Sequence, residues 1–98
     1  MKLGRIVGTV VSTQKDEKLV SLKLYVVRDL TMEMAGRDSF VVAADTVGAG
    51  VGEVVLYASG SSARQTKQTD GRPIDASVMA IVDQLDVDGD TVYDKAED

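Results

Sequence analysis

The apolar positions of this chain fall in short runs rich in β-branched residues, separated by glycine and by charged clusters. Ile6 to Thr13, IVGTVVST, is β-branched at most positions and is expected to form a first strand, with Gly8 as a bulge or bend that lets a sheet curl. Gln14 to Lys18 is a charged turn. From Leu19 to Val27, Leu22, Leu24 and Val26 alternate with Ser21, Lys23 and Tyr25, the period-two pattern of a second strand with one wet face. Arg28 to Asp38 mixes charges with Leu30, Met32 and Met34 and ends in a Gly36 turn, a pattern that fits a loop, a ragged strand end or a short helix. Phe40 to Ala44 and Val54 to Ala58 read as third and fourth strands, and Ser77 to Leu85 as a fifth.

The connections are as informative as the strands. Between the third and fourth lies Asp45 to Glu53, with glycine at 48, 50 and 52, three sites that suit positive φ or the close approach of another backbone. Ser59 to Gln65 offers serine N-caps before a turn or two of helix. Thr66 to Arg72 has no apolar residue and contains Asp70-Gly71, so an exposed, mobile loop is expected there, with order restarting at Pro73. Leu85 to Tyr93 places Asp88-Gly89 between two alternating arms, a strong hairpin signal. Its apolar arm follows the strand that should complete the fold, so an adjacent subunit is the expected surface for it. Five short strands, one short helix and a C-terminal hairpin extension indicate an all-β fold, a small five-stranded OB-like barrel, with a β-sandwich as the alternative. The 98 residues suit one domain, 1–98, with 83–98 as an acidic hairpin and tail.

Charge narrows the partners. Eleven basic against sixteen acidic residues leave a net charge of −5. From Asp83 onward the net is −6, so residues 1–82 stand near neutrality at +1. Such a balance disfavours nucleic acid and anionic membranes, whose binding is largely phosphate neutralisation, and three tyrosines with one phenylalanine make a poor stacking platform for single strands. No signal-peptide pattern opens the chain and no run approaches membrane-spanning length, so a cytoplasmic location is expected. The absence of cysteine and histidine removes disulfides, thiolate nucleophiles, the commonest general base and the commonest metal ligand.

Three motifs invite chemistry and resist it. Gly48-Ala49-Gly50-Val51-Gly52 departs from a dinucleotide fingerprint because Glu53 stands where a glycine is needed and a strand follows in place of a helix. Asp86-Val87-Asp88-Gly89 resembles the middle of a calcium loop, but that register would put Gln84 first and Lys95 last among the ligands. Asp45, Glu53, Asp75 and Asp83 sit at strand ends, where carboxylates cap turns or pair with Arg5, Arg64 or Arg72 more readily than they do acid-base work.

Taken in order, Gly4-Arg5-Ile6-Val7-Gly8-Thr9-Val10-Val11, Val42 to Glu53, Gly60-Ser61-Ser62-Ala63-Arg64, Pro73-Ile74-Asp75-Ala76 and Ile81-Val82-Asp83 resemble the EutN/CcmL family of bacterial microcompartment vertex proteins, and Tyr93-Asp94-Lys95 resembles its carboxysome-type members. Ser21, where many members carry glycine, and Ile74, where valine is commoner, depart from the pattern. The resemblance implies an OB-like barrel that assembles as a homopentamer, sits among hexameric facet shell proteins at the five-fold corners of a cytoplasmic shell, and has no catalytic group and no cofactor. It makes Gly48, Gly50, Gly52 and Glu53 candidates for the subunit interface, with Arg64 and Asp75 from the family motif. A monomeric OB-type ligand or nucleic-acid binding module and a small carboxylate enzyme are the competing classes.

Overall fold

The computed structural model describes all residues, 1–98. Seven strands form: β1 (Lys2–Val10), β2 (Leu24–Leu30), β3 (Gly36–Asp45), β4 (Val54–Ser59), β5 (Ala76–Ile81), β6 (Gln84–Val87) and β7 (Asp90–Asp94). The first five close into a barrel in the order β1-β2-β3-β5-β4, with β4 pairing back onto β1, and β6-β7 make a separate two-stranded ribbon. Closure through the β1–β4 pair excludes the sandwich alternative.

Inward positions alternate with outward ones over Leu24 to Val27 of β2, whereas β4 and β5 are buried at successive positions. Ile6, Tyr25, Val27, Ala43, Val55, Tyr57 and Val78 form the main core. β2 turns the face opposite to the one its leucines suggested: Tyr25 and Val27 are buried, whereas Leu24 and Val26 lie half-exposed on the outside. A slip of one residue exchanges the two faces of a strand, and Tyr25 decides the matter because its hydroxyl finds a buried acceptor in the Ala49 carbonyl, 2.6 Å away. The expected bulge is present, with the β1–β2 register shifting between Ile6 and Gly8 so that Val7 is the extra residue.

Several boundaries move. β1 begins at Lys2 and ends at Val10, and the segment expected to start the second strand at Leu19 instead holds a 3-10 turn, Glu17–Leu19, capped by the Asp16 carboxylate. Ser21 has φ of +71°, a left-handed conformation that explains why glycine suits this position and why no strand runs through it. The ambiguous segment after Arg28 is a β2–β3 hairpin: the Thr31 hydroxyl accepts from the Glu33 and Ala35 amides, and Met34 takes the left-handed position. Gly60–Arg64 is a 3-10 helix; Ser59 stands at its N-cap without a capping hydrogen bond, so the serines do not cap as expected. Thr66 to Arg72 is better fixed than its polarity suggested. Thr69 is fully buried and bonded to Thr66, and the Arg72 guanidinium donates to the Val20 carbonyl.

The β6–β7 ribbon turns at Asp88-Gly89, both at positive φ, as the motif required. Its apolar arm does not await another subunit. Tyr93, only 7% exposed, joins Leu3, Leu30 and Val54 in a second core cluster, with Leu85 and Val82 packed alongside. The physical reason is an apolar end of the barrel, left open by β1, β2 and β4, that the chain's own ribbon reaches.

Candidate assembly interface

Asp45 to Glu53 leaves β3, crosses one end of the barrel and enters β4. Ala49 is the plug: it is buried against the main core, with its carbonyl taken by Tyr25 and its amide by the Asp45 carboxylate at 3.1 Å. The loop's second half is held from β1, where the Gly52 amide donates to the Ile6 carbonyl at 2.8 Å and the Ile6 amide to Glu53 at 3.0 Å. Arg5 adds a 2.7 Å bond to the Gly52 carbonyl. With Ala49 turned inward, Val47 and Val51 project to solvent, 39% and 59% exposed.

The glycines divide by role. Gly48 and Gly52 take φ of +74° and +94°, and a side chain there would meet open space, so backbone conformation alone requires them. Gly50, expected to share that conformation, lies outside the left-handed region; a Cβ there would touch only Glu53 Oε1, at an ordinary 3.5 Å. Gly52→Ala is therefore expected to destabilise the fold by about 1–2 kcal/mol, whereas Gly50→Ala should leave the subunit's thermal midpoint unchanged; calorimetry on the two variants separates conformation from contact.

Glu53 closes the loop. One carboxylate oxygen accepts from the Gly50 amide at 2.6 Å and the other from the Lys95 ammonium, so the acidic tail is tied to the glycine loop across 42 positions of sequence. Arg5 pairs with Asp98 at 3.1 Å in the same way, and the Lys95 amide donates to the Asp83 carbonyl. The Lys95 hydrogen bond, then that of the Gly50 amide, hold the Glu53 carboxyl below its ordinary value of 4.5 against the cost of desolvation, and Glu53 raises Lys95 in return. A depressed carboxylate stabilises the folded state above its unfolded value and ceases to do so as pH falls through the depressed one. The protection factors of the Lys95–Asp98 amides, measured against their intrinsic exchange rates at each pH, should therefore fall below pH 4.5 and with added salt, since the pair is exposed and screened. Glu53→Gln should remove most of that acid dependence.

Arg64 and Asp75 lie elsewhere. Arg64 donates to the Ile74 carbonyl at 2.8 Å, and the Asp75 carbonyl accepts from the Gly60 amide at 2.8 Å, so the two share the corner formed by the 3-10 helix and the entry to β5. No hydrogen bond or ion pair links that corner to the glycine loop. The Asp75 carboxylate itself is exposed. Arg5, Tyr25 and Lys95, which fix the loop, were not among the sequence candidates. Arg5 and Lys95 fall within the stretches that resemble the family, but no local pattern marks any of the three as a loop partner, because each acts on a residue distant in sequence.

A cleft of about 430 Å³ lies beside the N-terminus and is lined by Lys2, Leu3, Asp29, Leu30, Arg37 and Ser39 among others. Its one carboxylate, Asp29, is raised by burial but more than compensated by hydrogen bonds from Ser39 and Tyr57, so it sits below the ordinary range, while burial and Asp29 push the Tyr57 phenol up. A firmly ionised acid beside a firmly protonated phenol is suited to fixing β2 against β4 and poorly suited to proton transfer near neutrality. No three acidic side chains converge as a metal ion would need, and no helix is long and apolar enough to cross a membrane.

A plugged, closed five-stranded barrel with a tail-clamped surface loop defines a small all-β protein of OB-like architecture. The match to the family described as ethanolamine utilisation protein EutN/carboxysome spans residues 1–83, and this chain belongs to that EutN/CcmL family. It is 44% identical over 97 residues to the carboxysome shell vertex protein CcmL of Synechococcus elongatus, covering 99% of this chain and 98% of that protein. It is 50% identical over 86 residues to the bacterial microcompartment shell vertex protein GrpN of Rhodospirillum rubrum, covering 88% and 97%. The structure of Gloeobacter violaceus CcmL superposes with a TM-score of 0.94 at 41% identity, over 98% of this chain and 99% of that one. The GrpN pentameric microcompartment shell protein superposes with a TM-score of 0.79 at 47% identity, over 89% and 98%.

Proposed function

We propose that this chain forms a ring of five identical subunits that fills the five-fold corners of a bacterial microcompartment shell in the cytoplasm, meets hexameric facet proteins at its rim, and carries out no reaction. The observation that supports this reading most is the end-to-end likeness to relatives named as shell vertex proteins, one of which is described as a pentamer. Physical geometry gives the role its sense. Six-fold tiles cover a plane, and a closed polyhedron built from them needs a small fixed number of five-fold units. A rigid closed barrel, its loop ends pinned to its own strands and tail, suits such a part.

Within the ring, the glycine loop with Gly48, Gly50, Gly52 and Glu53 is proposed as a joint surface, its exposed Val47 and Val51 offering apolar contact. Arg64 and Asp75 would belong to a second contact region, where the unengaged Asp75 carboxylate can meet a cation of the neighbour. Size-exclusion chromatography with light scattering tests the ring. A mass five times the chain's 10.4 kDa is expected, and a monomer at micromolar concentration would overturn it.

A further inference from the structure

A closed ring built from one kind of subunit has a heterologous joint, so every subunit must present two different surfaces that fit each other. The glycine loop can be only one of them. We propose that the other is the outer face of β1–β2–β3 around Phe40 and Val42, and that the Val51 tip of one subunit's loop docks on this face of the next. The inference rests on the ring reading given above and adds the identity of the loop's partner surface.

Strand register builds the face. Val42 lies beside Val26, which lies beside Gly8, and Phe40 lies beside Arg28. Phe40 is the chain's only phenylalanine, yet it is 55% exposed, and Val42 is 48% exposed, while the main core on the other side of the same strands is dry. Apolar side chains adjacent in register across strands make a continuous exposed patch, the usual mark of a contact site.

Three further observations bear on what covers it. Gly8 has no left-handed φ, and a Cβ there would meet nothing nearer than Val26 at 3.9 Å, so the subunit itself does not require glycine at the β1 end of the row. A strand glycine with no internal reason fits the close approach of another backbone. Arg28 is held ready: its guanidinium lies 5.5 Å from the centre of the Phe40 ring, its Nε donates to the Arg37 carbonyl at 2.8 Å, and a side chain at Gly36 would fall 2.7 Å from that nitrogen. A fixed arginine on an aromatic ring is the type of anchor that dominates interfaces. Finally, β3 pairs with β2 along its length but with β5 only at Ala44 and Asp45, so the backbone edge beside Phe40 and Val42 is free to receive a neighbour.

The loop is complementary to this surface. It offers exposed valines and small backbone-accessible residues to an apolar face. The loop starts from β3 itself, but its second half is bonded to β1 at Ile6, with β2 between it and the Phe40 and Val42 strand.

Two variants test the pairing in purified protein. Val42→Lys blocks the face and Val51→Lys blocks the loop; both positions are exposed, so both chains should keep the wild-type circular dichroism spectrum. Each alone is expected to lose the five-subunit species and run as a monomer. Mixed in equal amounts they should form a dimer and nothing larger, because one wild-type loop then meets one wild-type face and the remaining two surfaces are blocked. Phe40→Glu, mixed with Val51→Lys, should behave as Val42→Lys does and guards against local damage from a single substitution. Retention of the five-subunit mass by the face variants, or folded monomers that yield no dimer on mixing, would overturn the pairing while leaving the ring intact. A wild-type protein that is not five-fold would instead overturn the ring reading itself.

Discussion

Removing residues 84–98 is expected to destabilise the barrel itself and not merely its assembly. Tyr93 is almost fully buried among Leu3, Leu30 and Val54, and Leu85 packs beside it, so truncation uncovers one apolar end of the barrel. Loss of a buried aromatic side chain to alanine typically costs about 3–5 kcal/mol, against roughly 5–15 kcal/mol for the whole of a small domain. Tyr93→Ala should reproduce most of the effect of truncation, and Lys95→Met little of it, because the Lys95–Glu53 pair is exposed to solvent. Urea unfolding followed by circular dichroism distinguishes the cases. An unchanged midpoint on truncation would mean that the ribbon does not seal the barrel.

Gly4→Val should be nearly as damaging, for the opposite reason. Gly4 is buried on β1, and a Cβ added there would lie 2.4 Å from Val27 Cγ1 and 3.0 Å from the Arg28 carbonyl oxygen. Neither neighbour can yield easily, since Val27 is a fully buried core residue and the β2 backbone is in register with β1 on both sides of the contact. Overpacking of this sort costs about 1–3 kcal/mol for one or two methyl groups and more when backbone is displaced. Thermal unfolding should show a lower midpoint already for Gly4→Ala, with Gly4→Val folding poorly. Gly8→Ala, four residues along the same strand, should leave the subunit's midpoint intact and act only on assembly.

These two glycines illustrate what the sequence conveyed and what it withheld. The β-branched runs at Phe40 to Ala44 and Val54 to Ala58 and the Asp88-Gly89 turn were legible because their signals are local: propensity, alternation and a dipeptide suited to positive φ. The β2–β3 hairpin was not, because its turn rests on the Thr31 hydroxyl and a left-handed Met34, without the glycine or asparagine that usually announces such a turn. The inward face of β2 was misread because Leu22, Leu24 and Val26 alternate as well as Tyr25 and Val27 do. Only a partner twenty-four positions away, the Ala49 carbonyl, breaks the tie.

The candidate interface divides along the same line. Four of its residues, Gly48, Gly50, Gly52 and Glu53, belong to one loop and come together in the structure because they are neighbours in sequence. Arg64 and Asp75 share a different corner, and their link to the loop existed only as a family pattern. The clamp from Arg5 and Lys95 onto that loop joins residues 47 and 42 positions apart, a separation at which charge patterning along the chain carries no signal.

Electron microscopy of compartments from cells lacking this protein, together with a small-molecule leakage assay, tests most directly whether the chain closes a shell. Facets should still form while closure fails, giving elongated, open or leaky bodies whose enclosed enzymes remain active in lysate. Normally closed and impermeable shells in the absence of this protein and any paralogue would contradict the account.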